Sequence, residues 1–461
     1  MLQSLTADRN DAIPITAVTA ATLPAWLERH PEARAWVSGV GFRADPGTFA
    51  FLPRDDGRPA VIAAPIQDSP VYAFAALPTA LPEGKYALEL EGHGGSSTDA
   101  ALGWALGSYA FSTYKKPRRA AATLAWPENA DRAEVERLAS AVFLARDMIN
   151  TPAEDMGPEQ LAQAAGSVAQ SHGAKLEVIV GEELLAQNYP TIHAVGRASD
   201  RPPRLIDLRW GDEQAPKVTL VGKGVCFDTG GLDLKSRENM LEMKKDMGGA
   251  AIVLALGGAL MSARTPIRLR VLIPAVENSV SGNALRPRDI VRTRSGKTVE
   301  IGNTDAEGRL ILCDALAEAD SQRPDLLIDC ATLTGAARVA LGPQLQALYC
   351  DDDAVAGGLL EAGADTGDPL WRMPLWRPYR KEIESSCADL NNVARNSFAG
   401  SIIAALYLAE FVSASPRWAH LDLYASNPSS RPGRPEGGEA TGLRALYAYI
   451  RRRYGQSESR P

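Results

Sequence analysis

Downstream of about residue 150, this 461-residue chain alternates short apolar runs with longer amphipathic segments. Short apolar runs predict buried strands, and apolar residues three or four positions apart predict helices. Buried strands that alternate with helices form a mostly parallel sheet covered by helices on both faces, so we expect an α/β fold. The predicted strands are 175–180, 218–221, 267–273, 326–329 and 420–424, and the predicted helices are 157–171, 247–263, 307–322, 399–413 and 440–453.

The first part of the chain has a different pattern. Short β-rich runs, such as 35–42 and 60–64, are separated by proline and glycine, with short helices near 20–30 and 98–110. Residues 129–150 then predict a single helix that ends at Thr151-Pro152. The predicted organisation is a smaller N-terminal α/β domain at 1–127, a linker helix at 128–152 and a larger C-terminal domain at 153–461.

The charge balance argues against several classes of partner. The chain has 49 Lys plus Arg and 56 Asp plus Glu, so its net charge is 49 − 56 = −7. Such a chain has no overall positive field for nucleic acid or an anionic membrane, and a metal cation suits it better. Its five cysteines include no C-x-x-C pair, which favours a reducing compartment. Because no signal-peptide run or 18-residue apolar window is present, we expect a cytoplasmic protein without a membrane segment.

One heptapeptide places two carboxylates and a guanidinium close together in sequence. Residues 303–309 are Asn-Thr-Asp-Ala-Glu-Gly-Arg, so Asp305 and Glu307 are two positions apart and Arg309 follows. In an extended segment such positions project from one face, so both carboxylates can hold one cation while Arg309 holds an anion. An isolated Asp-x-Glu is more often the charged rim of a hairpin, so the interpretation depends on residues elsewhere.

A second cluster follows the predicted strand 218–221. Residues 221–231 are Val-Gly-Lys-Gly-Val-Cys-Phe-Asp-Thr-Gly-Gly, and the glycines allow Lys223 and Asp228 to share one crowded pocket. This is not a P-loop, because Gly-x-x-x-x-Gly-Lys-Ser/Thr is absent. Two other predicted strands are also followed by polar or small residues: Glu277 and Asn278 in one case, and Thr332, Thr334 and Gly335 in the other. Ligands of open α/β sheets bind at the carboxyl ends of strands, where all these residues are expected.

Four carboxylates are available for a metal centre: Asp228, Asp246, Asp305 and Glu307. Since carboxylates can bridge, this number suits two divalent ions that together activate a water molecule. For Asp246 the alternative role is the N-cap of the helix predicted at 247–263. The chain contains no H-E-x-x-H pair, which disfavours a histidine-rich zinc site.

Lysines accompany these carboxylates. An amine near two cations has its pKa lowered, so one lysine can be a neutral ligand while another, farther away, stays charged and polarises a carbonyl. Lys223 and Lys235 are the candidates, and Lys244 is interpreted as a solvated surface residue.

Several runs resemble those of one known family. They are 221–231, Met-Lys-Lys-Asp-Met-Gly-Gly-Ala-Ala at 243–251, Val-Glu-Asn-Ser-Val-Ser-Gly-Asn at 276–283, Ser-Gly-Lys-Thr-Val-Glu at 295–300, Asn-Thr-Asp-Ala-Glu-Gly-Arg-Leu at 303–310, Ala-Thr-Leu-Thr-Gly-Ala at 331–336 and Trp-Ala-His-Leu-Asp at 418–422. Together they resemble the leucyl (cytosol) aminopeptidase family over roughly residues 140–445, and the 303–309 run is close to diagnostic. Upstream, only 105–109 and 114–115 are similar.

The resemblance implies a dinuclear centre of two Zn²⁺ or Mn²⁺ ions in the C-terminal, catalytic domain. Asp228 and Glu307 would bridge both ions and Asp305 would complete one site. Lys223 and Asp246 would complete the other, more exchangeable site.

Further roles are also implied by the resemblance alone. Lys235 matches the lysine that polarises the scissile carbonyl, and Arg309 matches the arginine that holds a bicarbonate acting as general base. Met243 matches a wall of the pocket for the N-terminal side chain. Leu333 and Gly335 match backbone positions that hold substrate, and Asn303 is placed with these substrate-binding residues.

The implied activity is release of leucine-like N-terminal residues from peptides by a metal-activated water, in a homo-hexamer. Three features depart from the family pattern and bear on substrate preference: Asp233, ahead of Lys235; the run Glu-Ala-Thr-Gly-Leu-Arg at 439–444, which lacks the Gly-Arg-Pro often found in the family; and the Pro-, Ser- and Gly-rich run 427–438.

Two other functions remain as alternatives. A dinuclear phosphoesterase also uses carboxylate-rich metal pairs, although its expected histidines are missing. A DNA-binding accessory role is disfavoured by the acidic balance, although basic runs occur at 115–119 and 451–453. Such runs are usually solvated faces or helix C-terminal charges.

Overall fold

The chain folds into two compact units. The computed structural model describes residues 3–54, 57–67, 69–90, 96–415 and 417–455. One unit comprises the chain up to Phe143 with Ser429–Glu436, and the other comprises Leu144–Pro428 with the chain from Gly437 onward. The predicted two-domain α/β fold is confirmed, whereas the proposed limits of the linker, 128–152, stay a prediction.

The first unit contains a six-stranded sheet in the order β1-β6-β5-β2-β4-β3. Its strands are β1 (Leu5–Thr6), β2 (Ile13–Ala17), β3 (Phe49–Pro53), β4 (Pro59–Ala63), β5 (Lys85–Glu89) and β6 (Thr123–Ala125), and its helices are α1 (Leu23–Arg29), α2 (Arg34–Gly39), α3 (Leu77–Ala80) and α4 (Ser97–Gly107), with 3₁₀ turns at Pro31–Ala33 and Pro70–Tyr72. Neighbouring strands are parallel except β3 and β4 at one edge. Trp26, Val37 and Ile62 belong to the core of this unit.

The β-rich run predicted at 35–42 is wrong, because residues 34–39 form helix α2. The 3₁₀ turn that precedes this helix begins with Pro31, whose fixed φ suits a helical start. Val37 is buried, whereas Trp36 is largely exposed and donates its indole N–H to the Phe51 carbonyl at 2.7 Å. The strand preference of Trp and Val is therefore overridden by the local turn and by packing.

The second unit is organised around a nine-stranded, mostly parallel sheet. Its path is β16-β15-β18-β14-β9-β11-β8-β7, and β10 pairs with β11 off this path. The strands of this unit are β7 (Lys175–Val180), β8 (Arg204–Trp210), β9 (Lys217–Gly222), β10 (Gly224–Asp228), β11 (Arg268–Asn278), β12 (Ile290–Arg292), β13 (Thr298–Glu300), β14 (Leu326–Ala331), β15 (Gln346–Tyr349), β16 (Leu370–Arg372), β17 (Leu390–Asn391), β18 (Trp418–Asp422), β19 (Ser426–Asn427) and β20 (Gly437–Gly438). The central strands β18, β14, β9 and β11 are parallel neighbours, whereas β8 is antiparallel to both β11 and β7.

The helices from residue 132 onward are α5 (Arg132–Asn150), which runs across the boundary between the two units, α6 (Pro158–His172), α7 (Glu183–Ala186), α8 (Pro190–Gly196), α9 (Arg237–Met240), α10 (Gly248–Ser262), α11 (Glu307–Ser321), α12 (Gly335–Leu341), α13 (Asp353–Thr366), α14 (Gly400–Ala409) and α15 (Leu443–Tyr454), with 3₁₀ turns at Met243–Met247 and Arg377–Ile383. Of these, α6, α8, α10 and α11 pack against the sheet of the second unit. All the strands and helices predicted for this part of the chain are confirmed, with ends that differ by a few residues. The basic run 451–453 lies in the last turn of α15, where cations offset the helix dipole. Among the described helices, none combines the length and apolar character that a membrane crossing requires.

Helix α10 lies very close to strand β14 because it begins with two glycines. A Cβ built on Gly249 would lie 2.1 Å from the carbonyl oxygen of Cys330, and one on Gly248 would lie 2.4 Å from the Cβ of Ala425. Most of the helix is buried, as its nearly continuous apolar sequence predicts. This contact fixes the segment ahead of the helix, including Asp246, at the carboxyl end of β14.

We expect Gly249→Ala to lower the free energy of unfolding by about 1–3 kcal/mol, because its methyl group would collide with the backbone of β14. Urea unfolding followed by circular dichroism measures the change. The matched control is Gly357→Ala in α13, an exposed position with no heavy atom within 4 Å of the added Cβ. Because alanine favours helix over glycine, this control should raise stability by up to ~1 kcal/mol. Equal unfolding midpoints for the two variants would contradict the close contact.

Candidate metal centre

Four carboxylates and two lysines meet at the carboxyl end of the central strands. Lys223 lies between β9 and β10, Asp228 ends β10, Asp246 lies in the 3₁₀ turn before α10, Asp305 lies in the turn before α11, Glu307 is the first residue of α11, and Lys235 follows β10. All six line one cavity of about 360 Å³. The structure therefore brings together the residues that the sequence proposes as metal ligands, together with Lys235.

Three of the carboxylates converge closely. One oxygen each of Asp228, Asp305 and Glu307 lie within 4.8 Å of one another. The convergence does not arise from an extended segment, as the sequence suggested, because Asp305 lies in a turn and Glu307 begins a helix. The turn directs both side chains to the same place. It also puts Glu307 at the N-terminus of α11, where the helix dipole favours negative charge.

Lys223 connects the fourth carboxylate to this group. Its Nζ lies 2.7 Å from Oδ2 of Asp246 and 2.9 Å from Oε1 of Glu307, and it donates to the Thr332 carbonyl at 2.9 Å. Asp246 is not the N-cap of α10, a position that Met247 occupies. The alternative role for Asp246 is therefore wrong: the carboxylate faces Lys223 and accepts from the Thr332 hydroxyl at 2.8 Å.

Lys235 contacts the other two carboxylates of the cluster. Its Nζ lies 2.8 Å from Oδ2 of Asp228 and forms an ion pair with Asp305. Burial disfavours its positive charge, but Asp228 and Glu307 outweigh burial and raise the pKa of Lys235 above its ordinary value. Lys235 is therefore a cation at neutral pH among these neighbours.

The buried charges also shift one another. Burial opposes a charged Lys223, yet Asp246, Glu307 and Asp228 outweigh it and raise the pKa of the amine. Burial raises the pKa of Asp228, and the nearby charge of Glu307 raises it further. For Glu307 the effect of burial is exceeded by Lys223 and Lys235, which lower its pKa. A divalent cation that takes Lys223 as a neutral ligand must displace its proton, so binding depends on pH.

Glycine at position 308 makes room for Lys223. A Cβ on Gly308 would lie 2.5 Å from Cε and 2.8 Å from Nζ of Lys223. The lysine stem thus lies directly against the backbone of the first turn of α11. The glycine of the Glu-Gly-Arg sequence therefore has a steric role, in addition to the electrostatic roles of Glu307 and Arg309.

Asn278, at the end of β11, holds the carboxylates in place. Its amide donates to Oδ1 of Asp228 at 2.8 Å and to the carbonyl of Thr304 at 3.1 Å, and lies 3.5 Å from Oε2 of Glu307. Sequence analysis placed Asn278 at a strand end but gave it no role. The position of Asn278 beside Glu277, directly after a predicted strand, is the sequence signal that could have identified its role.

Asp233 and Thr304 link the loop of Lys235 to the 303–309 motif. Thr304 N donates to Oδ2 of Asp233 at 2.7 Å, and Asp233 N donates to the Thr304 hydroxyl oxygen at 2.8 Å. The Thr304 hydroxyl in turn donates to the Gly230 carbonyl at 2.6 Å. Asp233, which departs from the family pattern, therefore joins the Lys235 loop to the 303–309 motif.

Arg309 is a buried guanidinium with spare hydrogen-bonding capacity. One terminal nitrogen donates to the Asn392 carbonyl at 2.7 Å, and Nε has no hydrogen-bond partner within the described ranges. Burial lowers its pKa, but an arginine stays charged at neutral pH. Such a group suits an anion inside the cavity.

The loop after β14 is fixed by Asp422. Its Oδ1 accepts from the backbone N–H groups of Leu333 and Thr334 at 3.1 and 3.0 Å, and its Oδ2 accepts from the Thr334 hydroxyl at 2.6 Å. Leu333 and Gly335 line the cavity, as does Met243. Asn303 is not among the lining residues: its side chain accepts from Asp305 N at 2.8 Å, which shapes the turn.

One wall of the cavity carries an unexpected cation. Lys245 is buried, and its Nζ lies 4.8 Å from the centroid of the Tyr424 ring. Burial lowers the pKa of Lys245 to about 8. The charge of Asp246 opposes this shift, and the neighbouring cations Lys223, Lys235 and Arg338 add to it. Sequence reasoning missed Lys245, because the residue looks like part of a charged Lys-Lys pair.

The donor set fits divalent metal ions. Oδ2 of Asp246 and Oδ1 of Asp305 are buried and lack a hydrogen bond to any described residue, although each is paired electrostatically with a lysine. Carboxylate oxygens with one amine nitrogen suit Mn²⁺ or Zn²⁺. The arrangement can hold cations beside a water-accessible cavity and an unsatisfied guanidinium.

Two family models match this chain. The catalytic domain of the cytosol aminopeptidase family matches residues 143–447, and the N-terminal domain of M17 aminopeptidases matches residues 13–127. The two matches cover most of the chain.

Individual relatives are similar over nearly the same extent. A probable cytosol aminopeptidase of Geobacter sp. (strain M21) is 40% identical over 374 residues, which is 78% of this chain and 76% of that protein. The crystal structure of a cytosol aminopeptidase from Coxiella burnetii is 47% identical, with a TM-score of 0.94 over 98% of this chain and 99% of that one. The bottromycin maturation enzyme BotP, in complex with Mn, is 34% identical, with a TM-score of 0.85 over 97% and 99% of the two chains.

We expect Asn278→Ala to weaken Mn²⁺ binding by about 10- to 100-fold, because its amide orients the carboxylates that hold the ion. Isothermal titration calorimetry of the chelator-treated protein measures the affinity. The control is Asn283→Ala, an exposed asparagine on the following loop, which should bind Mn²⁺ as the wild type does. If both variants keep the wild-type affinity, Asn278 does not position the ligands.

Proposed function

This chain belongs to the M17 cytosol aminopeptidase family, and we propose that its metal centre releases N-terminal residues, preferentially leucine-like ones, from peptides. Membership of the family makes the chain a metal-dependent aminopeptidase. One observation carries the finer proposal: Asp228, Asp305 and Glu307 converge within 4.8 Å in a cavity that Lys235 and Arg309 also line.

The proposed ligands form two overlapping sets. Asp228 and Glu307 belong to both, Asp305 completes one, and Lys223 with Asp246 completes the other. The close ion pairs of Lys223 with Asp246 and Glu307 support this division. Two divalent ions, Zn²⁺ or Mn²⁺, supply Lewis-acid polarisation of the scissile carbonyl and lower the pKa of the attacking water.

Lys235 is assigned to the carbonyl oxygen of the scissile peptide. The carboxylates of Asp228 and Asp305 hold its ammonium group at the cavity and keep it protonated. A fixed cation there stabilises negative charge on the carbonyl oxygen more in the transition state than in the substrate. Lys235 therefore contributes to turnover rather than to metal binding.

Arg309 is assigned to the general base. A buried guanidinium whose Nε lacks a partner among the described residues suits a small planar anion. We assign bicarbonate to that place, where Arg309 would hold it as the general base for the attacking water. Asn392 fixes the guanidinium through its carbonyl.

The backbone of Leu333 and Gly335 is assigned to the main chain of the substrate. Asp422 supports this assignment because it holds the loop rigidly through Leu333 N and Thr334 N. Met243 forms a wall for the N-terminal side chain, and Asn303 acts close to the substrate by shaping the turn that carries Asp305. A cytoplasmic homo-hexamer, as the resemblance implies, is the proposed working form.

Metal dependence gives the first test of this function. We expect leucine p-nitroanilide hydrolysis to be lost after dialysis against a chelator and restored by Zn²⁺ or Mn²⁺, because the carboxylate cluster needs cations to act. Absorbance at the p-nitroaniline band measures release, and p-nitrophenyl phosphate is the control substrate that should stay intact. Hydrolysis of the phosphate but not of the anilide would favour a phosphoesterase instead.

Two substitutions separate turnover from metal binding. Lys235→Ala should lower kcat by about 10²–10³-fold with its metal content unchanged, because it removes charge stabilisation only. Asp246→Ala should lose about one ion per chain, because it removes a ligand from a single site. Elemental analysis of the purified variants measures the metal content. Unaltered stoichiometry in Asp246→Ala would refute the ligand assignment.

A further inference from the structure

The cavity has a second electrostatic feature, distinct from the carboxylate cluster. Two cations, Lys245 and Arg338, lie beside one aromatic ring: Nζ of Lys245 is 4.8 Å and the guanidinium carbon of Arg338 is 5.3 Å from the centroid of Tyr424. All three residues line the cavity, together with Met243 and Gly335. We call Lys245, Arg338 and Tyr424 the basic wall.

Lys245 has no direct ion pair with a described residue, although the nearby charge of Asp246 favours its cationic form. Its side chain is buried, yet it forms no ion pair or hydrogen bond with another residue in the described part of the chain. Lys223 and Lys235, by contrast, each contact two carboxylates. A buried charge without a partner is costly unless a ligand supplies the opposite charge.

The position of the basic wall relates it to the substrate. Lys245 lies two residues after Met243 in the same 3₁₀ turn, and Arg338 lies three residues after Gly335 in α12. If Met243 and Gly335 contact the N-terminal residue, as the proposed function has it, Lys245 and Arg338 flank the side chain of that residue. Glu238 and Glu242 also line the cavity, but both are exposed, so solvent screens their charge.

We infer that the pocket for the N-terminal residue also accepts an acidic side chain, glutamate or aspartate, in addition to leucine-like ones, and that Lys245 determines this specificity. The inference rests on the proposed function and names a substrate class for the same site. Glutamate and leucine share the same carbon skeleton up to Cγ, so one pocket can hold both. The ring of Tyr424 and the side chain of Met243 contact the apolar part, while Lys245 and Arg338 pair with the carboxylate.

The test compares 7-amido-4-methylcoumarin derivatives of α-glutamate, glutamine and leucine with the Mn²⁺-loaded full chain. Glutamate and glutamine have the same shape, so the ratio of their kcat/KM values isolates the charge. We expect the wild type to favour the glutamyl substrate by about 10- to 100-fold, as for a hydrogen bond between charged groups. Lys245→Met, which keeps the length of the side chain, should reduce the ratio to near one, and Lys245→Arg should restore most of it.

The adjacent Lys244 provides the matched control. Its Nζ donates to the Asn150 carbonyl at 2.7 Å, and it does not line the cavity. Lys244→Met should therefore keep the wild-type ratio. If leucyl and glutaminyl substrates are cleaved but the wild-type ratio is near one, or if Lys245→Met keeps the wild-type ratio, this inference is wrong and the proposed function stands. If none of the three substrates is cleaved with metal present, the proposed function fails and this inference falls with it.

Discussion

Four carboxylates share one buried corner of the catalytic unit, and their mutual repulsion is the constraint around which the rest is arranged. Two ammonium groups contact them, so the carboxylates outnumber the amines paired with them in this largely buried cluster. Burying like charges destabilises a fold unless partners and hydrogen bonds compensate. The excess negative charge favours the binding of divalent cations. The repulsion that destabilises the empty site therefore also strengthens cation binding.

Neighbouring residues hold the charged side chains of this cluster in defined positions. Asn278 holds Asp228 near Glu307, Asp233 joins the Lys235 loop to Thr304, and Asp422 fixes the loop of Leu333. Each of these residues acts through backbone groups or neighbouring carboxylates. Ligands held in this way need little rearrangement to bind an ion, which is how the surroundings of a metal site raise its affinity.

The sequence predicted the members of the charged cluster better than their surroundings. Alternating apolar strands and helices placed Lys223, Asp228 and the loop at 332–335 at strand ends, because that rule depends only on chain order and burial. The same rule could not show that Asp305 lies in a turn and Glu307 at the N-terminus of a helix, which is how their carboxylates come together. It also missed Asn278 and Lys245, since their contacts come from elements distant in sequence.

Local preferences failed where tertiary packing decides the structure. Residues 35–42 look like a strand but form α2, and strand β8, which was not predicted and which carries Arg204, Asp207 and Arg209, pairs antiparallel with β11. The carboxylates of Asp207 on β8 and Glu318 on α11 contact Arg270 on β11, so charged residues occur inside the sheet. These ion pairs join residues far apart in the sequence, so a short sequence window cannot predict them.

The close approach of Gly308 to Lys223 has an evolutionary consequence. Because the lysine stem fills the space where a side chain at 308 would lie, neither position can change freely while the other stays as it is. A larger residue at 308 would push the lysine away from Asp246 and Glu307, and loss of the lysine would remove this steric reason for glycine in that helical turn. The two sites should therefore vary together among related chains, although they lie on different elements of the fold.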